Sequence, residues 1–343
     1  MKIRSALFLL SLMTTPAIAS AQTITVDGVE VVQLRDAARH IVVSIAPHTG
    51  NMAYEMKVNG KNAFWFPFAS IRDFAAKPEF AGNPFLAPWA NRIDAGGYYA
   101  NGKKYLLNPG LGNLRPGGQD LYIHGLLNYS DKWKVIDYGA DAKSAHVTSR
   151  LEFFKYPELM ANFPFAHSID MTYRLVGGDL VVETTVHNLG NEPMPLAIGY
   201  HPYFQLPGVP RDEWNVHLAA DEHLEVTDRL VPTGVRKKMD LPQPFSLKGG
   251  KLDDGFVSLR RDADGTSTFF VEGGGERVSV IYGPKYPVAV VYAPPGKDFI
   301  CFEPMTAITN AFNLHQDGKY PELQSIPAGG EWHESFRIRV SGF

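Results

Sequence analysis

Two adjacent segments with a two-residue rhythm constrain this chain more than any other feature. In residues 168–176, Ile169, Met171, Tyr173 and Leu175 fall on one side and Ser168, Asp170, Thr172 and Arg174 on the other. After Gly177-Gly178, residues 179–187 return with Leu180, Val182 and Val186 in phase. Alternation of this period puts one face in a core and the other in water, and paired glycines supply the positive φ angles of a tight hairpin turn. The pattern recurs in residues 331–340, where Trp332, Phe336, Ile338 and Val340 share a face and predict a closing strand. Further strands are expected at residues 146–154, 278–282, 288–292 and 299–302. No long segment carries a helical stripe, and 32 glycines and 25 prolines punctuate the chain at intervals that suit short strands. The expected fold is all-β, a large antiparallel β-sandwich.

The amino end reads differently. Met1-Lys2-Ile3-Arg4 is basic, residues 6–13 are almost wholly apolar, and Ala19-Ser20-Ala21 has the small-x-small form that a signal peptidase accepts. The apolar run is far short of the ~20 residues that span a bilayer. Residues 1–21 are therefore expected to be a cleavable signal peptide, with a periplasmic or secreted product, not membrane-bound after cleavage, starting at Gln22. Residues 22–343 contain no biased linker, low-complexity tract or internal repeat, and a single domain acting as a monomer is expected. Without Lys2 and Arg4 the 33 basic residues become 31 against 36 acidic ones, a net charge of −5. No basic cluster invites nucleic acid or an anionic lipid surface, so a small neutral partner is expected. A lone cysteine, Cys301, excludes an internal disulfide and reads as packing on an apolar strand.

Residues 66–124 form the longest irregular region, rich in Pro, Gly and Asn yet also in aromatic residues, and are expected to line a cleft. Within them Arg92, in Asn91-Arg92-Ile93-Asp94, offers a rigid fork of donors for ligand oxygens; a salt bridge to Asp94 explains it equally well. In His124-Gly125 the glycine would let backbone approach a ligand closely, while a histidine satisfying a loop carbonyl is the plainer reading. His201 lies in Tyr200-His201-Pro202-Tyr203-Phe204, framed by turn-rich stretches, where a proton carrier among aromatic faces suits a pyranose; a turn cap with core neighbours is the alternative. Glu303, in Cys301-Phe302-Glu303-Pro304, is expected at a strand end where Pro304 turns the chain out of the sheet. Partial loss of water there would raise its proton affinity toward that of a general base, and a surface glutamate at a turn is the competing account. Gly110-Leu111-Gly112-Asn113-Leu114-Arg115 has Arg115 where a dinucleotide loop needs its third glycine, and no spacing marks a metal site; neither cofactor nor metal is expected.

In order, Asn91-Arg92-Ile93, Asn101-Gly102-Lys103-Lys104-Tyr105, His124-Gly125, Tyr200-His201-Pro202-Tyr203-Phe204, Leu252-Asp253-Asp254-Gly255-Phe256 and Cys301-Phe302-Glu303-Pro304 resemble the aldose 1-epimerase (mutarotase) family. The resemblance implies its galactose mutarotase-like supersandwich, with Glu303 as general base, His201 as general acid, and Asn91, Arg92, His124 and Asp253 holding a monosaccharide. A one-residue shift would exchange Asp253 with Asp254. The implied reaction interconverts α and β anomers of a free glucose- or galactose-type aldose. Glu303 takes the C1 hydroxyl proton while His201, its pKa raised by a carboxylate, protonates the ring oxygen, the two standing on opposite sides of the reacting carbon. Three departures from the family pattern, His124-Gly125-Leu126, Pro202 after His201, and Val290-Val291 before the base, alter the set that reads hydroxyls. The alternatives are a non-catalytic carbohydrate-binding protein, a glycosidase using Glu303 with Asp253, and a hexose-6-phosphate 1-epimerase. Export and the lack of an extra arginine pair near Arg92 to clamp a phosphate count against the last.

Overall fold

The computed structural model describes residues 19–118 and 120–343. The expected signal peptide therefore lies outside the described residues except for Ala19, Ser20 and Ala21, which open the first strand, Ala19–Val26.

Three antiparallel sheets carry most of the chain. One follows chain order through Ala19–Val26, Val29–Asp36, Ile41–Ala46, Met52–Val58 and Lys61–Asn62. A nine-stranded sheet runs Lys134–Ala140, Ser144–Glu152, His167–Val176, Asp179–Asn188, Glu331–Ser341, Glu276–Tyr282, Ser267–Gly273, Asn215–His217 and Phe245–Ser246. The eight-stranded sheet contains Pro232–Lys238, Ala220–Val226, Leu252–Leu259, Val288–Ala293, Ile300–Met305, Gly199–Tyr200 and Phe85–Leu86, with Tyr203–Phe204 also on Ile300–Met305. The longest helices described, Ile71–Ala76 and Ala311–Gln316, have six residues each. This is the all-β sandwich that the alternation predicts. The two larger sheets meet across aromatic contacts, Tyr200 against Phe336 at 4.8 Å and Phe302 against Phe269 at 6.3 Å.

The hairpin of His167–Val176 and Asp179–Asn188 closes with Val176 opposite Asp179, and Gly177 and Gly178 have φ of 61° and 93°, as a two-residue turn of type I′ needs. Glu331–Ser341 departs from expectation: it does not close the sheet but lies inside it, paired with Asp179–Asn188 on one side and Glu276–Tyr282 on the other. Hydrophobic alternation specifies which face is buried but carries no information about how many neighbours a strand has.

Ile300–Met305 also differs from the reading of its sequence. The strand runs straight through Pro304, which sits opposite Ala289, so Glu303 is interior to a strand and buried. A proline breaks a ladder only where its N–H is needed. On this flank Gly199 pairs with Met305 while Tyr203 and Phe204 pair with Cys301 and Ile300, leaving His201-Pro202 as an unpaired gap. Continuing that register places His201 directly opposite Glu303.

Candidate active site

The gap faces a cleft of about 420 Å³ floored by three neighbouring strands. Leu252–Leu259 contributes Asp253, Val288–Ala293 contributes Val290 and Tyr292, and Ile300–Met305 contributes Glu303. The opposite walls come from the region expected to line a cleft, through Phe80, Asn91, Arg92, Arg115 and His124. All six residues singled out in the sequence, His201, Glu303, Asn91, Arg92, His124 and Asp253, border this one hollow. Asp254 borders only a smaller adjoining pocket, which Asp253 also lines.

His201 Nε2 lies 3.3 Å from Glu303 Oε1, with both side chains buried. The imidazole stacks on Tyr203 at 4.7 Å and on Phe80 at 5.5 Å, contacts that exclude water from the ring. Tyr200 and Phe204, expected beside the sugar, point into the core instead, Tyr200 bonding Thr184 and Phe204 stacking on Phe64. Short strands alternate their side chains between faces, so only Tyr203 of the three aromatic residues reaches the cleft.

Burial governs the protonation of the pair. It pushes His201 down to about 3, with the positive charge of Arg115 acting in the same direction. Glu303 is raised well above the ordinary carboxylate range, first by burial and then by Asp253, while Arg92 draws it partway back. The sequence-based expectation that a carboxylate would raise His201 is reversed, because desolvation penalises both charges together. Burial thus favours the state in which one proton, on either residue, leaves the pair without net charge across a single contact.

Asn91 and His124 are set by a second short ladder in which Arg92 opposes Ile123. His124 N–H donates to the Asn91 carbonyl at 2.8 Å, and Asn91 N–H donates to His124 Nδ1 at 3.3 Å, which leaves the neutral ring's proton on Nε2. Burial, then the charges of His201, Arg115 and Arg92, hold His124 well below its usual range. Both residues have φ near 60°, 56° for Asn91 and 65° for His124, a left-handed geometry that costs about 1–3 kcal/mol each and persists only where surroundings enforce it. Gly125 serves a different purpose from that expected: a Cβ there would lie 2.2 Å from the Ala87 carbonyl oxygen, so the glycine admits neighbouring backbone, not a ligand. Asp94, the alternative partner for Arg92, pairs with Arg229 at 2.9 Å, and among the described residues no carboxylate lies within ion-pair distance of Arg92. Asp253, at the cleft mouth, is raised by partial loss of water and drawn down by Arg92.

Arg115 was not anticipated. It begins the turn into Pro116–Gly118, a strand paired with the one that leads to His124, and its guanidinium lies 4.1 Å from the Phe80 ring centre. The sequence offered a signal in the placement of an arginine in the aromatic loop region, but only the fold brings it within reach of His201. Among the described residues no three His, Cys, Asp or Glu side chains converge as metal ligands would.

The family profile for aldose 1-epimerase matches residues 30–339. The chain belongs to the aldose 1-epimerase family. It is 28% identical over 198 residues to galactose mutarotase of Mus musculus, covering 54% of this chain and 52% of that protein. It is 27% identical over 176 residues to the uncharacterized protein YihR of Escherichia coli K12, covering 50% and 53%. The chain thus spans about half the length of these two relatives. A galactose mutarotase-like protein from Clostridium acetobutylicum has the same fold, with a TM-score of 0.83 at 23% identity over 94% of this chain and 98% of that one.

Proposed function

We propose that this family member exchanges the anomers of an aldose by opening and reclosing the sugar ring, with Glu303 and His201 carrying the protons. The observation that carries this reading is the 3.3 Å contact between two buried, oppositely perturbed proton carriers at the base of a sugar-sized cleft. The expectation that they stand on opposite sides of the reacting carbon gives way to a side-by-side arrangement. Adjacent carriers suit the chemistry, because the C1 hydroxyl and the ring oxygen are bonded to the same carbon.

With the shared proton on His201, the Glu303 carboxylate takes the C1 hydroxyl proton while the imidazolium protonates the ring oxygen. The C1–O5 bond breaks and C1 becomes an aldehyde. The proton then resides on Glu303 and His201 is neutral, the arrangement that burial favours. Rotation about C1–C2 presents the other aldehyde face, and reclosure passes both protons back. No net proton enters or leaves, so the dry pocket is an advantage. Arg92, Asn91, His124 and Asp253 supply donors and acceptors around the remaining hydroxyls.

Polarimetry on freshly dissolved α-glucose and α-galactose tests the proposal. The protein is expected to speed the approach to equilibrium rotation, and His201→Ala or Glu303→Gln to slow it by ~10²–10⁴-fold. Relaxation at the buffer rate for every common aldose, or variants as fast as the parent, overturns it. The basic and apolar amino end supports a periplasmic or secreted location, which sequencing of the mature amino terminus checks by finding Gln22 first.

A further inference from the structure

Arg115 has no assigned part in the reaction above. Its backbone carbonyl accepts from Ile123 N–H at 3.0 Å, which ties it to the strand ending at His124, and Phe80 supports its guanidinium from one face. Phe80 is the same ring that stacks on His201. Among the described residues no carboxylate lies within ion-pair distance of Arg115, whereas most surface arginines of this chain, such as Arg150, Arg277 and Arg339, have one.

Charge accounting around the cleft isolates it. Arg92 and Asp253 line the cleft with opposite charges that attract one another without an ion-pair contact, and burial favours a neutral His201–Glu303 pair. His124 is neutral. The lining therefore carries one uncompensated positive charge, that of Arg115, within a protein of net charge −3. A planar guanidinium held by an aromatic ring presents its fork to two oxygens at once.

We infer that the cleft takes a sugar bearing a single negative charge, a carboxylate-bearing hexose of the hexuronate class, whose carboxylate is gripped by Arg115. One guanidinium matches one carboxylate in both charge and geometry; a phosphate dianion would also have to draw Arg92 away from Asp253. The inference rests on the anomer-exchange reading only for the placement of C1 beside His201 and Glu303.

Calorimetric titration of the whole protein with glucuronate, glucose and glucose 6-phosphate tests it without requiring catalysis. Glucuronate is expected to bind about five- to ten-fold more tightly than glucose at low salt, with the preference shrinking as salt rises. Arg115→Gln is expected to bring the two affinities together and Arg115→Lys to retain part of the difference. Equal binding of glucose and glucuronate by the parent, or a preference untouched by Arg115→Gln, overturns the assignment. Tighter binding of glucose 6-phosphate than of glucuronate overturns the choice of a monoanion. Polarimetry on the same sugars separates the two proposals: if none relaxes, anomer exchange fails while the titration still decides the role of Arg115.

Discussion

Replacing Glu303 by glutamine should separate stability from activity, because the group is held in surroundings that suit its neutral form. The side chain is 1% exposed, and its Oε2 has no hydrogen-bond partner. A carboxyl whose pKa is raised in the folded protein stabilises the fold fully below its unfolded pKa, and that contribution is lost as pH rises through the folded value. Each pH unit between the two is worth about 1.4 kcal/mol. Glutamine keeps the shape and cannot ionise, so Glu303→Gln should match or exceed the parent in Tm at pH 8 and lose that advantage near pH 4. At the roughly 2–4 °C per kcal/mol usual for large domains, a one-unit elevation already gives a measurable shift. Thermal unfolding of both proteins across that pH range, beside polarimetry, is the assay. A Tm difference independent of pH would refute the claim of a desolvated acid at 303. Full activity in the variant would refute its role as proton carrier.

The same pair predicts a pH–rate profile with widely separated limbs. A second proton is gained only toward the lowered His201 value of about 3, and the shared proton is lost only above the ordinary carboxylate range, so kcat/KM should stay level through mildly acidic pH. An acid limb near the free histidine value of about 6.5 would contradict it. Gly125→Ala adds a Cβ 2.2 Å from backbone at a position with φ of 70°, and is expected to lower Tm and activity together; a variant of unchanged Tm would disprove the packing role. His167 is buried, bonded to the Phe165 carbonyl and stacked on Phe153, with its pKa lowered to about 4 by loss of water. Stability should therefore fall as pH drops from about 6.5 toward 4, by at most roughly 3 kcal/mol, and His167→Gln should flatten that slope in denaturant titrations.

Much of this architecture was legible because side chains in a strand alternate. Residues 168–187 announced their hairpin through that rhythm and two glycines, and the polar residues interrupting apolar runs, Glu303 above all, proved to be in the cleft. What the chain order concealed were facts of pairing. Pro304 reads as an exit from the sheet, yet the strand runs through it with Ala289 opposite. Gly125 reads as room for a ligand, yet the space is filled by Ala87. Arg115 reads as a spoiled nucleotide loop, and only long-range folding sets it beside Phe80. The direction of the His201 shift was equally hidden, since a nearby carboxylate and exclusion of water act in opposite senses and burial decides between them.

The inward position of Glu331–Ser341 has a consequence for how the chain is made. One flank of the nine-stranded sheet is complete once residue 188 has been synthesised and the other once residue 282 has, but the ribbon that joins them is translated after both. Until those eleven residues leave the ribosome the halves remain separate, each with an open edge. A chain that stops before residue 331 thus lacks the seam of the sheet, not its hem.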